Sequence, residues 1–280
     1  MTSLDIYGYT IPDGHLPYVC AMKTTTSRPL ILVTNDDGVY SKGILALTQA
    51  VLPFGDVVVV APDKPQSGMG HAVTINNLLR LQPLKYDLPV HAAYSCSGTP
   101  VDCVKLAIYK VMHRKPDLVV SGINHGSNSS INVIYSGTMS AAMEGAVEGI
   151  PSIGFSLLDH SADADFEASQ QVVAKLVKAA LEKGIPKDVC LNVNIPKGPP
   201  TAISGIRICH QAKGYWEDNF DVRTDPFGKP YYWLTGEFKL LDDGLDTDEI
   251  ALAGNFVSVV PVHFDLTAYR AMEELKNWNL

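Results

Sequence analysis

The sequence predicts an α/β fold in which a mostly parallel β-sheet is flanked by helices. Two short runs of aliphatic and β-branched residues, 30–33 and 57–60, are continuously apolar, as in strands that are covered on both faces. A helix-length segment with apolar residues at helical spacing separates them, which is the pattern of a βαβ unit. A third apolar run at 118–120 repeats this pattern. At 189–196 apolar and polar residues alternate, which predicts an outer strand of the sheet.

The composition divides the chain into a leader, a core and an extension. Its 280 residues suit one large core with a smaller appended element. Residues 1–28 have no sustained periodicity and are predicted to be an irregular leader, whereas 29–204 carry the strands and helices of the core. From 205 to 280, aromatic residues and Gly/Pro turns predict a hairpin arm and a terminal helix that partly rejoin the core. Such an apolar arm favours contact with a partner subunit.

The charge and the cysteine pattern exclude several classes of protein. A formal net charge of −8 without a lysine or arginine cluster excludes a broad face for a nucleic-acid duplex, because nothing would replace the phosphate counterions. A small anionic substrate stays open if a metal or a helix N-terminus supplies positive potential. Five scattered cysteines without a Cys-x-x-Cys pair argue against a disulfide framework and a structural zinc site.

The sequence also predicts a cytoplasmic protein without a membrane partner. No apolar stretch reaches the length that is needed to span a bilayer. The N-terminus lacks the basic start and apolar run that are typical of a secretion signal.

Two adjacent carboxylates, Asp36 and Asp37, follow the first predicted strand directly. In an open parallel sheet, ligands bind beyond the carboxyl ends of the strands, so this turn lies where a site is expected. Crowded carboxylates repel each other, and they either raise a pKa or hold a cation between them. We favour the cation. The alternative is an Asp-Gly turn in which one Asp caps the following helix.

Two further loops follow strands at the same predicted edge of the sheet. The loop after the second strand offers Ser67, whose hydroxyl could bind a metal or a phosphate, or lie in a solvated turn. His71 is predicted to be a hydrogen-bonding loop residue, since no second His or Cys stands at ligand spacing. The loop after the third strand offers Asn124, whose carbonyl oxygen suits a hard cation that the two aspartates already hold. For His125, a surface role and an acid/base role both stay open.

A helix rich in small residues follows the turn Ser136-Gly137-Thr138. Hydroxyls and free backbone N–H groups at a helix N-terminus form a ready site for phosphate. Ordinary capping by Ser136 or Thr138 is the alternative, and it is compatible with anion binding.

Five short motifs follow one another along the chain: Asn35-Asp36-Asp37-Gly38, Gln66-Ser67-Gly68, Ser97-Gly98-Thr99-Pro100, Gly122-Ile123-Asn124-His125-Gly126 with Asn128, and Tyr135-Ser136-Gly137-Thr138. Together they resemble the SurE family of survival-protein nucleotidases. The resemblance runs from about residue 29 to 157 and resumes weakly at 258–267. Each motif alone is weak, but five in register are highly specific.

The resemblance implies a fold, an activity and an assembly. The fold is a Rossmann-like core with a C-terminal extension that is exchanged between subunits of a homodimer or homotetramer. The activity is metal-dependent release of phosphate from nucleoside 5′- and 3′-monophosphates, extended in some members to short polyphosphate. Family members typically carry a charged pair before Gln-Ser-Gly, where this chain has Lys64-Pro65, so the preferred substrate stays open.

The resemblance also implies the roles of individual residues. On this basis we hypothesise that water attacks phosphorus with the help of one divalent cation per subunit, Mg²⁺ or Mn²⁺, and that either aspartate of the first turn orients the water or accepts its proton. The implied cation ligands are Asp36, Asp37, Ser67 and Asn124, of which Asp36, Asp37 and Asn124 are also predicted to be catalytic. The implied phosphate-binding residues are Asn128, Ser136, Gly137 and Thr138.

Three other functions compete with this prediction. A phosphatase with an aspartyl nucleophile would carry its first acid at Asn35, so a covalent route is disfavoured. A nucleotide-sensing or scaffold protein would bind phosphate in the same loops without turnover. A dinucleotide-dependent oxidoreductase is disfavoured because no Gly-x-Gly-x-x-Gly follows the first strand.

Overall fold

A computed structural model describes residues 28–242 and 244–278, and the predicted leader at 1–28 lies outside these residues apart from Arg28. Nine of the strands form one mixed sheet, and the other two form a separate hairpin. The strands in chain order are β1 Leu30–Thr34, β2 Asp56–Pro62, β3 Leu81–Pro83, β4 Ala92–Cys96, β5 Leu118–His125, β6 Ser152–Leu157, β7 Val189–Ile195, β8 Gly205–Ile208, β9 Gly214–Thr224, β10 Pro230–Leu240 and β11 Phe256–His263.

The central part of the sheet is parallel, as the sequence predicts. The spatial order is β3-β4-β2-β1-β5-β6-β7-β11-β8. Every pair from β4 to β7 in this order is parallel, whereas β3 pairs antiparallel with β4, and β11 pairs antiparallel with β7. From β1 the chain proceeds to β2 and β4 on one side, and from β5 to β6 and β7 on the other. The gap between β1 and β5 is therefore the point where the strand order reverses, which is where open α/β sheets bind their ligands.

Helices cover both faces of this sheet and explain the continuously apolar strands. The helices are α1 Lys42–Val51, α2 Pro100–Leu106, α3 Gly137–Val147, α4 Glu167–Lys183, α5 Asp248–Ala253 and α6 Tyr269–Leu275. Along β1, Ile31 and Val33 belong to the core cluster under α1 and α4. Leu30 and Leu32 belong to the cluster under α2 and α3. Both sets are buried because successive side chains of a strand point to opposite faces.

The helix starts follow recognisable capping chemistry. Ser41 caps α1 by accepting a hydrogen bond from the backbone N–H of Ile44, so the alternative in which an aspartate of this turn caps the helix is wrong. Thr99 caps α2 and forms a capping box with Asp102, and Pro100 occupies the first helical position. The two aspartates after β1 are therefore free of the capping role.

The expectation that 189–196 forms an outer strand is wrong. Strand β7 lies between β6 and β11, and the outer strands of the sheet are β3 and β8. Asn192 and Asn194, the polar residues of the alternation, are buried and hydrogen-bonded to each other and to the loop that follows β5. The alternation in β7 therefore comes from a polar face that is buried, not exposed to solvent. Burial of these amides is tolerated because each has a hydrogen-bond partner that compensates for lost hydration.

The C-terminal part of the chain both completes the sheet and leaves it. Strands β8 and β11 pair in parallel within the large sheet. Strands β9 and β10 form a two-stranded antiparallel hairpin, and large apolar side chains along it are exposed. At its base, Trp216 donates a hydrogen bond from Nε1 to Oδ1 of Asn132, 2.8 Å away. The predicted hairpin and terminal helix are thus both present.

Within the described ranges, no helix has the length and apolar character to cross a membrane. Four of the five cysteines are described, and all four are buried free thiols: Cys96, Cys103, Cys190 and Cys209.

Candidate functional site

Three of the polar residues singled out in the sequence lie at the crevice between β1 and β5. Asp36 and Asp37 follow the carboxyl end of β1, and Asn124 lies at the carboxyl end of β5. The backbone N–H of Gln66 donates to the carbonyl oxygen of Asp36 at 2.7 Å, which brings the loop after β2 beside the first turn. The next residue, Ser67, is exposed on that loop. The order of the strands, rather than any single motif, assembles this site.

Asp36 is a buried carboxylate at the centre of the site, with 4% of its surface exposed. Its Oδ1 accepts a hydrogen bond from the hydroxyl of Thr138, 2.5 Å away. Burial raises the pKa of Asp36 to about 6, the neighbouring charge of Asp37 adds to the rise, and the hydrogen bond from Thr138 opposes it. Ionised Asp36 thus lacks sufficient compensation from the protein alone, and a bound cation would supply it.

Asp37 and Asn124 lie on the more accessible side of the site. The backbone N–H of His125 donates to Oδ2 of Asp37 at 3.4 Å, and burial raises the pKa of Asp37. The side-chain amide nitrogen of Asn124 donates to the carbonyl oxygen of Gly126 at 2.8 Å. Because its nitrogen is held in this way, the Oδ1 atom of Asn124 is the ligand that remains for a cation.

Strand β5 is longer than the sequence indicates and is irregular where it reaches the site. The apolar run that predicts this strand ends at residue 120, but β5 continues to His125, and its register with β6 shifts between Ser121 and Asn124. His125 is half-buried, and its ring meets that of Phe166 edge-on with the centroids 5.2 Å apart. The surface-loop alternative for His125 is therefore wrong, while its acid/base role stays a hypothesis.

The N-terminus of α3 packs directly against Asp36. A methyl group on Gly137 would lie 2.7 Å from Cβ and 2.9 Å from Oδ2 of Asp36, so only glycine allows this approach. The hydroxyl of Ser136 caps α3 by accepting a hydrogen bond from the N–H of Met139 at 3.0 Å. Thr138 donates its hydroxyl hydrogen to Asp36, whereas the Ser136 hydroxyl only accepts. The O–H of Ser136 and the backbone N–H groups of this turn are therefore the donors left to meet a phosphate.

Asn128 lies deeper, in a network of amides beneath the loop after β5. Its backbone N–H donates to Oδ1 of Asn194 at 2.7 Å, and its side-chain nitrogen donates to the hydroxyl of Ser156 at 2.8 Å. Its carbonyl oxygen accepts from Nδ2 of Asn192 at 2.8 Å. Asn128 is thus fixed by strands β6 and β7. Sequence reasoning missed these supporting residues, although the polar positions of β7 were the signal that could have revealed them.

A carboxylate of the C-terminal extension holds the same loop from the other side. Asp248, the first residue of α5, is fully buried. One of its oxygens accepts from the backbone N–H of Ser130 at 2.8 Å, and the other accepts from those of Ala212 and Glu249, each at 2.9 Å. Ser130 has a φ of +50°, an uncommon conformation for a residue with a side chain. Asp248 therefore stabilises a strained position two residues after Asn128.

The donor set fits a hard divalent cation. Among residues 28–242 and 244–278, no cluster of three or more His, Cys, Asp or Glu side chains could hold a metal, so a cation here would rely on neutral oxygens as well. Two carboxylates, an amide oxygen and a hydroxyl are the oxygen ligands that Mg²⁺ and Mn²⁺ accept, with water completing the shell. The described residues place no Lys, Arg or His side chain in an ion pair with either Asp36 or Asp37.

Comparison with known proteins gives one consistent result. A family model described as Survival protein SurE matches residues 31–218. The chain is 58% identical over 254 residues to the 5′-nucleotidase SurE of Christiangramia forsetii, covering 90% of this chain and 98% of that protein. It is 59% identical over 253 residues to the 5′-nucleotidase SurE of Flavobacterium johnsoniae, with the same coverage of 90% and 98%. The crystal structure of the SurE protein from Aquifex aeolicus has a TM-score of 0.79 at 41% identity, covering 90% of this chain and 100% of that chain.

Proposed function

The chain belongs to the SurE family, and from that premise we propose that it is a metal-dependent nucleotidase that releases phosphate from nucleoside 5′-monophosphates. The observation that carries the proposal is the position of Asp36 and Asp37 in the crevice between β1 and β5, against the N-terminus of α3. The relatives named 5′-nucleotidase SurE support the substrate class.

In the proposed site one Mg²⁺ or Mn²⁺ per chain is held by Asp36, Asp37, Ser67 and Asn124. When bound, such a cation neutralises phosphate charge and lowers the pKa of water. Asn124 serves as a neutral ligand because its amide nitrogen is held by Gly126. Asp36 is held at Oδ1 by Thr138, which leaves Oδ2 for the site.

The phosphate group of the substrate is proposed to bind at the N-terminus of α3 and at Asn128. The backbone N–H groups of Gly137 and Thr138 lie at the positive end of the helix dipole, and the hydroxyl of Ser136 keeps that helix start in place. With the phosphate oriented there, Asp36 or Asp37 orients the attacking water and accepts its proton. Reaction at phosphorus then requires an in-line approach of that water.

The resemblance in sequence extends the proposed substrates to nucleoside 3′-monophosphates and to short polyphosphate. The discriminating experiment measures phosphate release from adenosine and guanosine 5′- and 3′-monophosphates and from tripolyphosphate. Each substrate is tested with Mg²⁺, with Mn²⁺ and with chelator, and the wild-type chain is compared with the Asp36→Asn variant. We expect cation-dependent release from the 5′-monophosphates that is lost in the variant. Tight nucleotide binding without any release would favour the nucleotide-sensing function instead.

The C-terminal extension, residues 205–280, is proposed to join subunits in a homodimer or homotetramer, and we further propose that the protein is located in the cytoplasm. An isolated two-stranded hairpin is marginally stable in water, and β9 and β10 expose aromatic residues that include Trp233 at 60% and Tyr232 at 61%. Light scattering measures the molar mass of the full chain and of its Trp233→Asp variant, and it thereby tests this assembly. An unchanged mass would contradict a role for the hairpin, and cell fractionation would check the location.

A further inference from the structure

A buried glutamate in α3 connects the helix of the proposed phosphate site to the loop that carries Ser67. Glu144 lies two turns after the start of α3, and only 4% of its side chain is exposed. Its Oε2 accepts a hydrogen bond from Nε2 of His71 at 2.8 Å, and its Oε1 accepts from Nζ of Lys105 in α2. Burial alone would raise the pKa of Glu144, but the bonds from His71 and Lys105 outweigh it and lower the pKa below its ordinary value.

His71 is the downstream end of the loop at 63–71, and the loop is anchored on both sides of Ser67. Upstream, the backbone N–H of Gln66 donates to the carbonyl oxygen of Asp36 at 2.7 Å. Downstream, the N–H of Gly70 donates to the carbonyl oxygen of Tyr135 at 3.2 Å, immediately before the His71 side chain meets Glu144. His71 thus provides the side-chain anchor next to the loop apex.

The apex between these anchors has little support of its own. Residues 67–69 are exposed, and a methyl group added at Gly68 would meet no atom within 4 Å. Gly68 and Gly70 have φ values of +74° and +54°, in a region that glycine adopts without strain. The position of Ser67 is therefore set by the three hydrogen bonds that anchor the loop on its two sides, since local packing cannot set it.

We propose that Glu144, acting through His71, is a positioning residue that holds Ser67 within reach of the cation site. The inference rests on the proposed function, because Ser67 has a ligand role only in the metal-dependent nucleotidase. The upstream anchor of the loop leads to the turn after β1, and the downstream anchors lead to helix α3 and to Tyr135 just before it. The turn that carries Asp36 and the loop that carries Ser67 are thereby both attached to helix α3. Supporting residues tune a metal site by fixing its ligands in this way.

Lys105 offers a matched control, because it contacts the other oxygen of the same carboxylate. Its side chain is 38% exposed, and it belongs to α2. If Glu144 only stabilised the packing of the helices, losing Lys105 would affect the cation site as much as losing His71. If Glu144 acts through His71, the two losses would differ.

The test measures Mn²⁺ binding to the full chain by electron paramagnetic resonance, together with phosphate release and thermal unfolding. We expect Glu144→Gln and His71→Gln each to weaken Mn²⁺ binding about 10-fold, whereas Lys105→Gln leaves it within about twofold. In a Ser67→Ala background, Glu144→Gln should cause no further loss, because the residue that it positions is gone.

Two outcomes would overturn the inference. An equal loss from Glu144→Gln with and without Ser67 would mean that Glu144 acts on the whole site, and unchanged binding in Glu144→Gln and His71→Gln would mean that it positions nothing. If Glu144→Gln unfolds the chain, Mn²⁺ binding is compared with and without Ser67→Ala in the His71→Gln variant instead, because the His71 side chain is only partly buried. A wild-type chain that neither binds Mn²⁺ nor releases phosphate would instead overturn the proposed function, and this positioning role with it.

Discussion

The hydroxyl of Thr138, in the first turn of α3, donates a hydrogen bond to Oδ1 of Asp36 at the end of β1. These residues are 102 positions apart in the sequence, and both are buried. The bond fixes the orientation of the carboxylate, and it also reduces the cost of ionising a desolvated acid. Helix α3 therefore supports the metal-binding half of the proposed site as well as the phosphate-binding half.

Replacing Thr138 by Val keeps the shape of the side chain but removes the hydrogen bond. The pKa of Asp36 should rise further, because the Thr138 hydroxyl now lowers it. A hydrogen bond to a charged group contributes roughly 1.5–3 kcal/mol, so phosphate release at pH 7 should fall by about 10- to 100-fold. Thr138→Ser keeps the hydroxyl and should retain most of the rate. Equal rates in the Val and Ser variants would show that this bond is unimportant.

Asp36 should destabilise the metal-free protein at neutral pH. Its pKa in the folded chain is about 6, above the ordinary value of 3.8, so the folded state binds more protons between these values than the unfolded state does. The stability contributed by protonated Asp36 is complete below pH 4 and is lost as the pH rises through 6. Asp36→Asn should therefore raise the free energy of unfolding at pH 8 by at most about 3 kcal/mol.

The gain from Asp36→Asn should vanish at pH 4, where the wild-type side chain is itself neutral. Urea unfolding of chelator-treated protein at both pH values measures the difference. Destabilisation by Asp36→Asn at pH 8 would contradict the idea that the carboxylate is uncompensated without its cation.

Protons should compete with the cation for Asp36. Below pH 6 the carboxyl group of Asp36 is increasingly protonated, so the apparent affinity for Mn²⁺ should fall by about tenfold per pH unit. Calorimetric titration between pH 5 and pH 7.5 measures this slope. An affinity that is flat across this range would mean that Asp36 is not a ligand.

Asp248 should stabilise the loop that follows β5. Asp248→Ala leaves three backbone N–H groups without their carboxylate partner, and we expect a loss of roughly 2–4 kcal/mol in the free energy of unfolding. Asp246→Ala is the matched control, because the side chain of Asp246 is 79% exposed. Thermal unfolding compares them. Similar melting temperatures for the two variants would show that the Asp248 carboxylate does not stabilise this loop.

The parallel strands and the first turn of the site could be predicted from the sequence because their signals are local. Runs such as 30–33 are continuously apolar only where both faces of the sheet are covered, and the structure places helices on both faces. The cap at Thr99 was also predictable, since Pro100 and Asp102 stand at fixed offsets from it.

The burial of polar residues could not be predicted, because it depends on contacts that are distant in the sequence. Asn192 and Asn194 give β7 the alternation of an exposed strand, yet their partners lie in the loop after β5, more than 60 residues away. The same limit applies to Thr138, whose hydroxyl could equally cap a helix, bind phosphate or, as found, bond to Asp36. Only the strand order decides which of these groups meet.

The most direct test of the central claim is an anomalous difference map from crystals of the full chain grown with Mn²⁺. We predict one strong peak per chain within about 2.5 Å of oxygen atoms of Asp36, Asp37 and Asn124, with Ser67 facing it. The peak should be absent in crystals of Asp36→Asn. A peak elsewhere in the chain, or a crevice between β1 and β5 that stays without one at saturating Mn²⁺, would contradict the proposed metal site.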